Sequence, residues 1–82
     1  MIHMKLRKLL STIDEKEVRI WHGSYKFTEN PNVLLEHDPV MFADATTTKK
    51  GKTKTVELRP SNTKVIRCYL NAALINVEVE LK

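Results

Sequence analysis

Ile75-Asn76-Val77-Glu78-Val79-Glu80-Leu81-Lys82 alternates apolar and polar side chains without a break. Successive side chains of a strand point to opposite faces, so Ile75, Val77, Val79 and Leu81 share one face and the polar set shares the other. A strand with one buried and one wet face belongs in an antiparallel sheet covered on one side only. This stretch decides the fold, because it demands strand neighbours and an apolar cover, and the rest of the chain must supply both.

The neighbours are found upstream. Lys64 to Leu70 reads as a strand with Ile66, Cys68 and Leu70 on its inner face, and Asn71-Ala72 turns the chain between it and the decisive stretch. Pro60-Ser61-Asn62 is a turn, and before it residues 52–59 alternate, with Val56 and Leu58 on one side and Thr55, Glu57 and Arg59 on the other. Lys50-Gly51 sits between two threonine-rich arms. Glycine accepts the positive φ of a hairpin tip and threonine favours extended backbone, so residues 46–55 read as a hairpin. Val40-Met41-Phe42-Ala43 is a short apolar run. Asp38-Pro39 breaks the chain, since proline disfavours the α conformation in the residue before it. Asn30-Pro31-Asn32 is a turn, and Asn32 is expected to cap one helical turn through Val33-Leu34-Leu35-Glu36. Further back, Val18, Ile20 and His22 alternate with Arg19 and Trp21, Gly23-Ser24 ends that strand, and Tyr25 to Thr28 returns as a hairpin arm.

The cover comes from the beginning. Ile2, Leu6, Leu9, Leu10 and Ile13 fall on one stripe of a 3.6-residue period, which predicts a helix over about 4–13. So short a helix is unstable alone and must dock. His3-Met4 is the dipeptide a common cloning site leaves, so Met4 is a candidate for the native first residue. The expected fold is α+β: a short N-terminal amphipathic helix packed on a mainly antiparallel sheet of about four to five strands, a two-layer sandwich. The helix is expected to cover the face shared by Val18, Ile20, Ile66, Cys68, Ile75, Val77 and Val79. With 82 residues, 1–82 is a single domain, and no second core fits.

Composition narrows the function. No apolar run reaches eighteen residues and no signal-peptide core is present, so the expected location is the cytoplasm. The single cysteine, Cys68, makes no internal disulfide, which agrees with a reducing compartment. His3, His22 and His37 show no metal-ligand spacing, and Cys68, between Ile66 and Leu70, reads as a buried apolar residue rather than a nucleophile. Glu78 and Glu80 share the wet face of a strand, which suits solubility better than acid–base work. Neither glycine-rich phosphate motif occurs. No catalytic residue, cofactor or metal is expected, and the chain does not read as an enzyme.

Charge is the remaining signal. Fourteen Lys and Arg face ten Asp and Glu, a net charge of +4, and removing Lys49, Lys50, Lys52 and Lys54 leaves the two signs balanced. The whole excess sits on one hairpin, which attracts a polyanion or an acidic protein surface, or is a solvated tip whose lysines discourage strand aggregation. Trp21, Tyr25 and Phe27 would add base stacking if they met near the same edge.

The opening Met4-Lys5-Leu6-Arg7-Lys8-Leu9-Leu10-Ser11-Thr12-Ile13-Asp14, followed by Val18-Arg19-Ile20-Trp21 and, at the other end, Leu74 to Leu81, resembles a recurring type of small phage and prophage protein. The resemblance covers about 30 of the 82 residues and carries over no functional residue. It implies a mobile element in a bacterial host and a non-enzymatic accessory role. The expected function is therefore a binding module acting on a host or phage protein, with Lys49, Lys50, Lys52 and Lys54 as candidate contacts. The alternative is sequence-nonspecific nucleic-acid binding through the same four lysines.

Overall fold

The alternating stretches become strands close to where their pattern puts them. The computed structural model describes residues 4–47 and 53–80. In chain order its elements are α1 (Leu6–Leu10), β1 (Val18–His22), β2 (Tyr25–Glu29), α2 (Pro31–His37), β3 (Phe42–Thr47), β4 (Thr53–Leu58), β5 (Val65–Asn71) and β6 (Leu74–Val79). Four strands form one sheet in the order β2-β1-β6-β5, and β3 pairs with β4 in a separate two-stranded hairpin. The β1–β2 and β5–β6 pairs are antiparallel and the central β1–β6 pair is parallel. The result is the expected α+β domain, with two short helices and a mixed, mostly antiparallel four-stranded sheet.

One face of the sheet carries the core. Val18, Ile20, Val65, Val77 and Val79 are buried with Leu6 and Leu10 of α1 and Leu34 of α2, and Leu9, Ile13, Phe27, Cys68 and Ile75 pack around them half-buried. The second helix is longer than the single turn expected. Pro31 stands in its first turn, where a missing N–H costs nothing, and the cap is Asn30 rather than Asn32: Asn32 N–H donates to Asn30 Oδ1 at 2.8 Å. His37 ends this helix instead of lying in a loop.

α1 is shorter than the predicted 4–13, and its boundaries have local causes. Lys5 offers no side-chain cap, so the first free N–H groups turn to the chain between β4 and β5: Leu6 N–H donates to the Thr63 carbonyl at 2.7 Å and Arg7 N–H to the Pro60 carbonyl at 3.0 Å. At the other end the Ser11 and Thr12 hydroxyls donate to the Lys8 and Leu9 carbonyls at 2.6 and 2.7 Å, and the last turn tightens.

β5 departs from the expected pattern. Its register against β6 shifts by one residue between Val65 and Arg67, a β-bulge around Ile66. The extra residue lets Val65 and Cys68 both face the core, while Ile66 and Leu70, expected inside, are 48% and 74% exposed. The turn after β5 is tight as predicted, but it is built from alanines: Asn71 pairs with Leu74, and Ala72 and Ala73 have φ of 54° and 59°. Left-handed backbone costs a residue with a Cβ about 1–2 kcal/mol, and the favoured residue at the second such position is glycine. Ala73→Gly is expected to stabilise the protein by about 0.5–1 kcal/mol after the loss of unfolded-state restriction is counted. A urea titration should show a higher midpoint with an unchanged slope.

The end of α2 is tied to the turn before β5. Asp38, at φ 44°, accepts the Ser61 hydroxyl at 2.6 Å and the Ser61 backbone N–H at 3.0 Å, and its carbonyl accepts Arg59 Nη1 at 2.9 Å. The Ser61 hydroxyl above all, then the Ser61 N–H and the Arg59 and Arg7 charges, hold this carboxyl below its ordinary value, against a smaller opposing effect of burial. A carboxyl with a depressed folded pKa stabilises the fold above the unfolded carboxylate range, and that contribution is lost as pH falls through it toward the folded value. Asp38→Asn should therefore reduce the fall in melting temperature below about pH 4.5. An unchanged acid dependence would assign it to other carboxylates.

Candidate nucleic-acid interface

Alternation that buries one face of the sheet leaves the other to solvent, and no described helix covers it. The register arranges its side chains in two rows across the four strands. Lys26, Trp21, Glu78 and Arg67 form one row, and Thr28, Arg19, Asn76 and Tyr69 the other. Three cations, one acid and two part-exposed aromatic rings thus share a surface that the sequence distributes over residues 19–78.

Asn76 holds the centre. Its side chain is buried on this face, its Oδ1 accepts the Trp21 indole N–H at 2.9 Å, and its Nδ2 donates to the Leu74 carbonyl at 2.9 Å. The indole is fixed in orientation while its ring remains partly accessible. Lys26 Nζ lies 5.2 Å from the Trp21 ring centroid, and the Arg67 guanidinium carbon lies 5.0 Å from that of Tyr69. Arg67 Nε also donates to Glu78 Oε2 at 2.6 Å, and that hydrogen bond and charge hold the guanidinium above its ordinary pKa. Each ring therefore carries a cation beside it, positioned for a phosphate if a base takes the ring.

The sequence-predicted candidates are divided by the structure. Lys49, Lys50 and Lys52 lie outside the described residues. Lys54 belongs to β4, where its backbone pairs with Thr46, and the register from Phe42↔Leu58 to Thr47↔Thr53 shows the predicted hairpin arms. Trp21, Tyr25 and Phe27 do not meet: Tyr25 and Phe27 pair with His22 and Ile20 on the core side, opposite Trp21. Phe27 packs on the core, and Tyr25 is 56% exposed. The second aromatic of the open face is Tyr69, opposite in parity to Cys68 as the alternation of its strand implies, and paired with Asn76. Arg19 and Arg67 were legible in principle, as polar members of alternating strands.

Elsewhere the chemistry is sparse. His22 is buried on the core face of β1, and burial pushes the half-buried Cys68 thiol above its ordinary pKa. Among the described residues no three His, Cys, Asp or Glu side chains gather as metal ligands, and no helix is long and apolar enough to cross a membrane. Among the described residues, two open grooves stand out at the flanks of the domain. One, of about 800 Å³, lies between Asp14, Glu17, Asn30 and the β5–β6 turn; the other, of about 720 Å³, is lined by Met4, Lys5, Arg7, Lys8 and Leu35. Comparison of the chain with protein-family models, curated proteins and solved structures gave no match.

Proposed function

We propose that the protein is a non-enzymatic binding module whose open sheet face takes single-stranded nucleic acid. The observation that carries this reading is the placement of Trp21 and Tyr69 on one uncovered face among Arg19, Lys26 and Arg67. Base–aromatic stacking is worth about 1–3 kcal/mol per base, and an exposed cation–π contact about 0.5–1 kcal/mol. A base therefore displaces the cation from a ring with a net gain, and the released ammonium or guanidinium remains beside the phosphate. A duplex, whose bases are already stacked, gains nothing from the rings. The lysines of residues 49–54 add sequence-independent affinity for the same polyanion. The mobile-element setting is proposed on the resemblance of the chain's two ends to small phage proteins.

Trp21 is the only tryptophan, so its fluorescence reports on the site directly. The test is a titration with a mixed-sequence single strand of about ten nucleotides, its duplex form, and heparin. Saturable quenching by the single strand, with little by duplex or heparin, is the expected result. Equal binding of all three without quenching would place the affinity in the lysine-rich segment alone, and alanine at Lys49, Lys50, Lys52 and Lys54 would then abolish it. No binding of any of them would overturn the nucleic-acid reading and return the module to a protein partner.

A further inference from the structure

The sheet has two edges, and they differ. β2 is five residues long and carries Lys26 and Glu29. β5 is seven residues long, and from Ile66 to Asn71 no described strand pairs with its outer side. Its start is covered: Val65 N–H donates to the Met4 carbonyl at 2.9 Å, and Lys5 bridges to Lys64. Beyond that point the strand has no proline and no lysine, the usual guards of an exposed edge, and it displays Ile66 and Leu70 at 48% and 74% exposure.

We infer that the β5 edge pairs antiparallel with β5 of a second copy of this chain. The strand is self-complementary about Cys68. A two-fold axis there sets Ile66 against Leu70 of the partner subunit, and Leu70 against Ile66 of the partner subunit, so the two exposed apolar side chains of the strand meet twice. Arg67 falls opposite Tyr69 of the partner subunit, and no like charges are juxtaposed. Backbone polarity fits as well. A two-residue turn with two positive-φ residues closes on a hydrogen-bonded pair, here Asn71 with Leu74. Alternation then points the N–H and C=O groups of Tyr69 and Arg67 toward β6 and those of Cys68 and Leu70 toward the free edge. Two four-stranded sheets become one of eight strands. The open faces join, and Arg67 and Tyr69 of the partner subunit extend the rows of cations and rings.

The test is sedimentation without nucleic acid, from about 10 µM to 1 mM protein, the range a small interface demands. Its failure is thus separate from failure of the binding reading. A monomer–dimer equilibrium is expected, with the dissociation constant raised about a hundredfold or more by Leu70→Lys, which enters a two-fold interface twice. Because Leu70 is so exposed, the variant should keep its circular dichroism, and Ile66→Lys gives an independent check. In a Cys68→Ala background, Arg67→Cys mixed with Tyr69→Cys should form an intermolecular disulfide that neither forms alone. A monomer at every concentration, or a dimer indifferent to both lysine substitutions, would overturn the inference. So would a wild-type monomer that dimerises only after residues 1–3 are removed, which would assign the edge to the chain's own beginning.

Discussion

Leu10→Ala is expected to lower the free energy of unfolding by about 2–5 kcal/mol, the range for a leucine truncated inside a packed core. Leu10 is 1% exposed and belongs to a cluster with Val18, Ile20 and Val77 on the core face of the sheet. A chain of this size has a total stability of roughly 4–12 kcal/mol, so the variant approaches the unfolded state at room temperature. α1 is only five residues long and cannot persist undocked, so losing its main anchor also threatens the hydrogen bonds it makes to Pro60 and Thr63. Leu9→Ala on the same helix, at a half-buried position, should cost clearly less. Urea unfolding followed by Trp21 fluorescence and circular dichroism measures both. A loss below about 1 kcal/mol for Leu10→Ala would mean that α1 is not part of the core.

The sheet was readable in the sequence because period-two alternation is strong wherever one face is wet. Val18 to His22 and Leu74 to Val79 needed nothing beyond it, and the Gly23-Ser24 and Asn71-Ala72 breaks located the turns between strands. β5 was readable as a strand but not as a register. Nothing in Val65-Ile66-Arg67 marks the inserted residue that turns Val65 into the core, and parity does not say how far the cover reaches: Leu70 shares the side of Cys68, opposite Ile75, yet it and Ile66 lie exposed on the outermost strand. α1 misled for a different reason. Periodicity counts side chains, whereas its ends are set by backbone groups finding carbonyls across the fold and by two hydroxyls turning back on the last turn.

The same distinction governs the candidate site. Local charge density drew attention to Lys49, Lys50, Lys52 and Lys54 because they are contiguous. The open face is assembled from four strands, and its members are scattered between Arg19 and Glu78. Trp21 was recognisable as off the core by parity. That Tyr69 joins it depends on the parallel β1–β6 pair, which brings residues 55 apart in sequence into the Trp21–Asn76 hydrogen bond. No local pattern encodes such a pairing.

Alanine at Trp21 and at Tyr69 is expected to weaken single-strand binding about 5- to 150-fold each, the equivalent of one lost base stack. The two substitutions differ in what else they disturb. Trp21→Ala removes the donor to the buried Asn76 Oδ1, and a buried acceptor without its partner costs about 1–3 kcal/mol of stability. Trp21→Phe loses the same donor and keeps a ring. It should therefore share much of the stability loss while retaining most of the affinity, a pattern that a purely structural role for Trp21 does not produce. Salt separates stacking from charge. If Arg19, Lys26 and Arg67 each neutralise one phosphate of a single strand, the log–log salt slope is about −2. Lys26→Ala should flatten it by about 0.7, whereas Tyr69→Ala should lower affinity at every salt concentration and leave the slope alone. The measurement is fluorescence anisotropy of a labelled oligonucleotide at several salt concentrations, since Trp21 variants lose the intrinsic signal. If both aromatic variants bind like wild type while alanine at Lys49, Lys50, Lys52 and Lys54 removes the slope, the strand lies along the lysine-rich segment and the sheet face is free for another ligand.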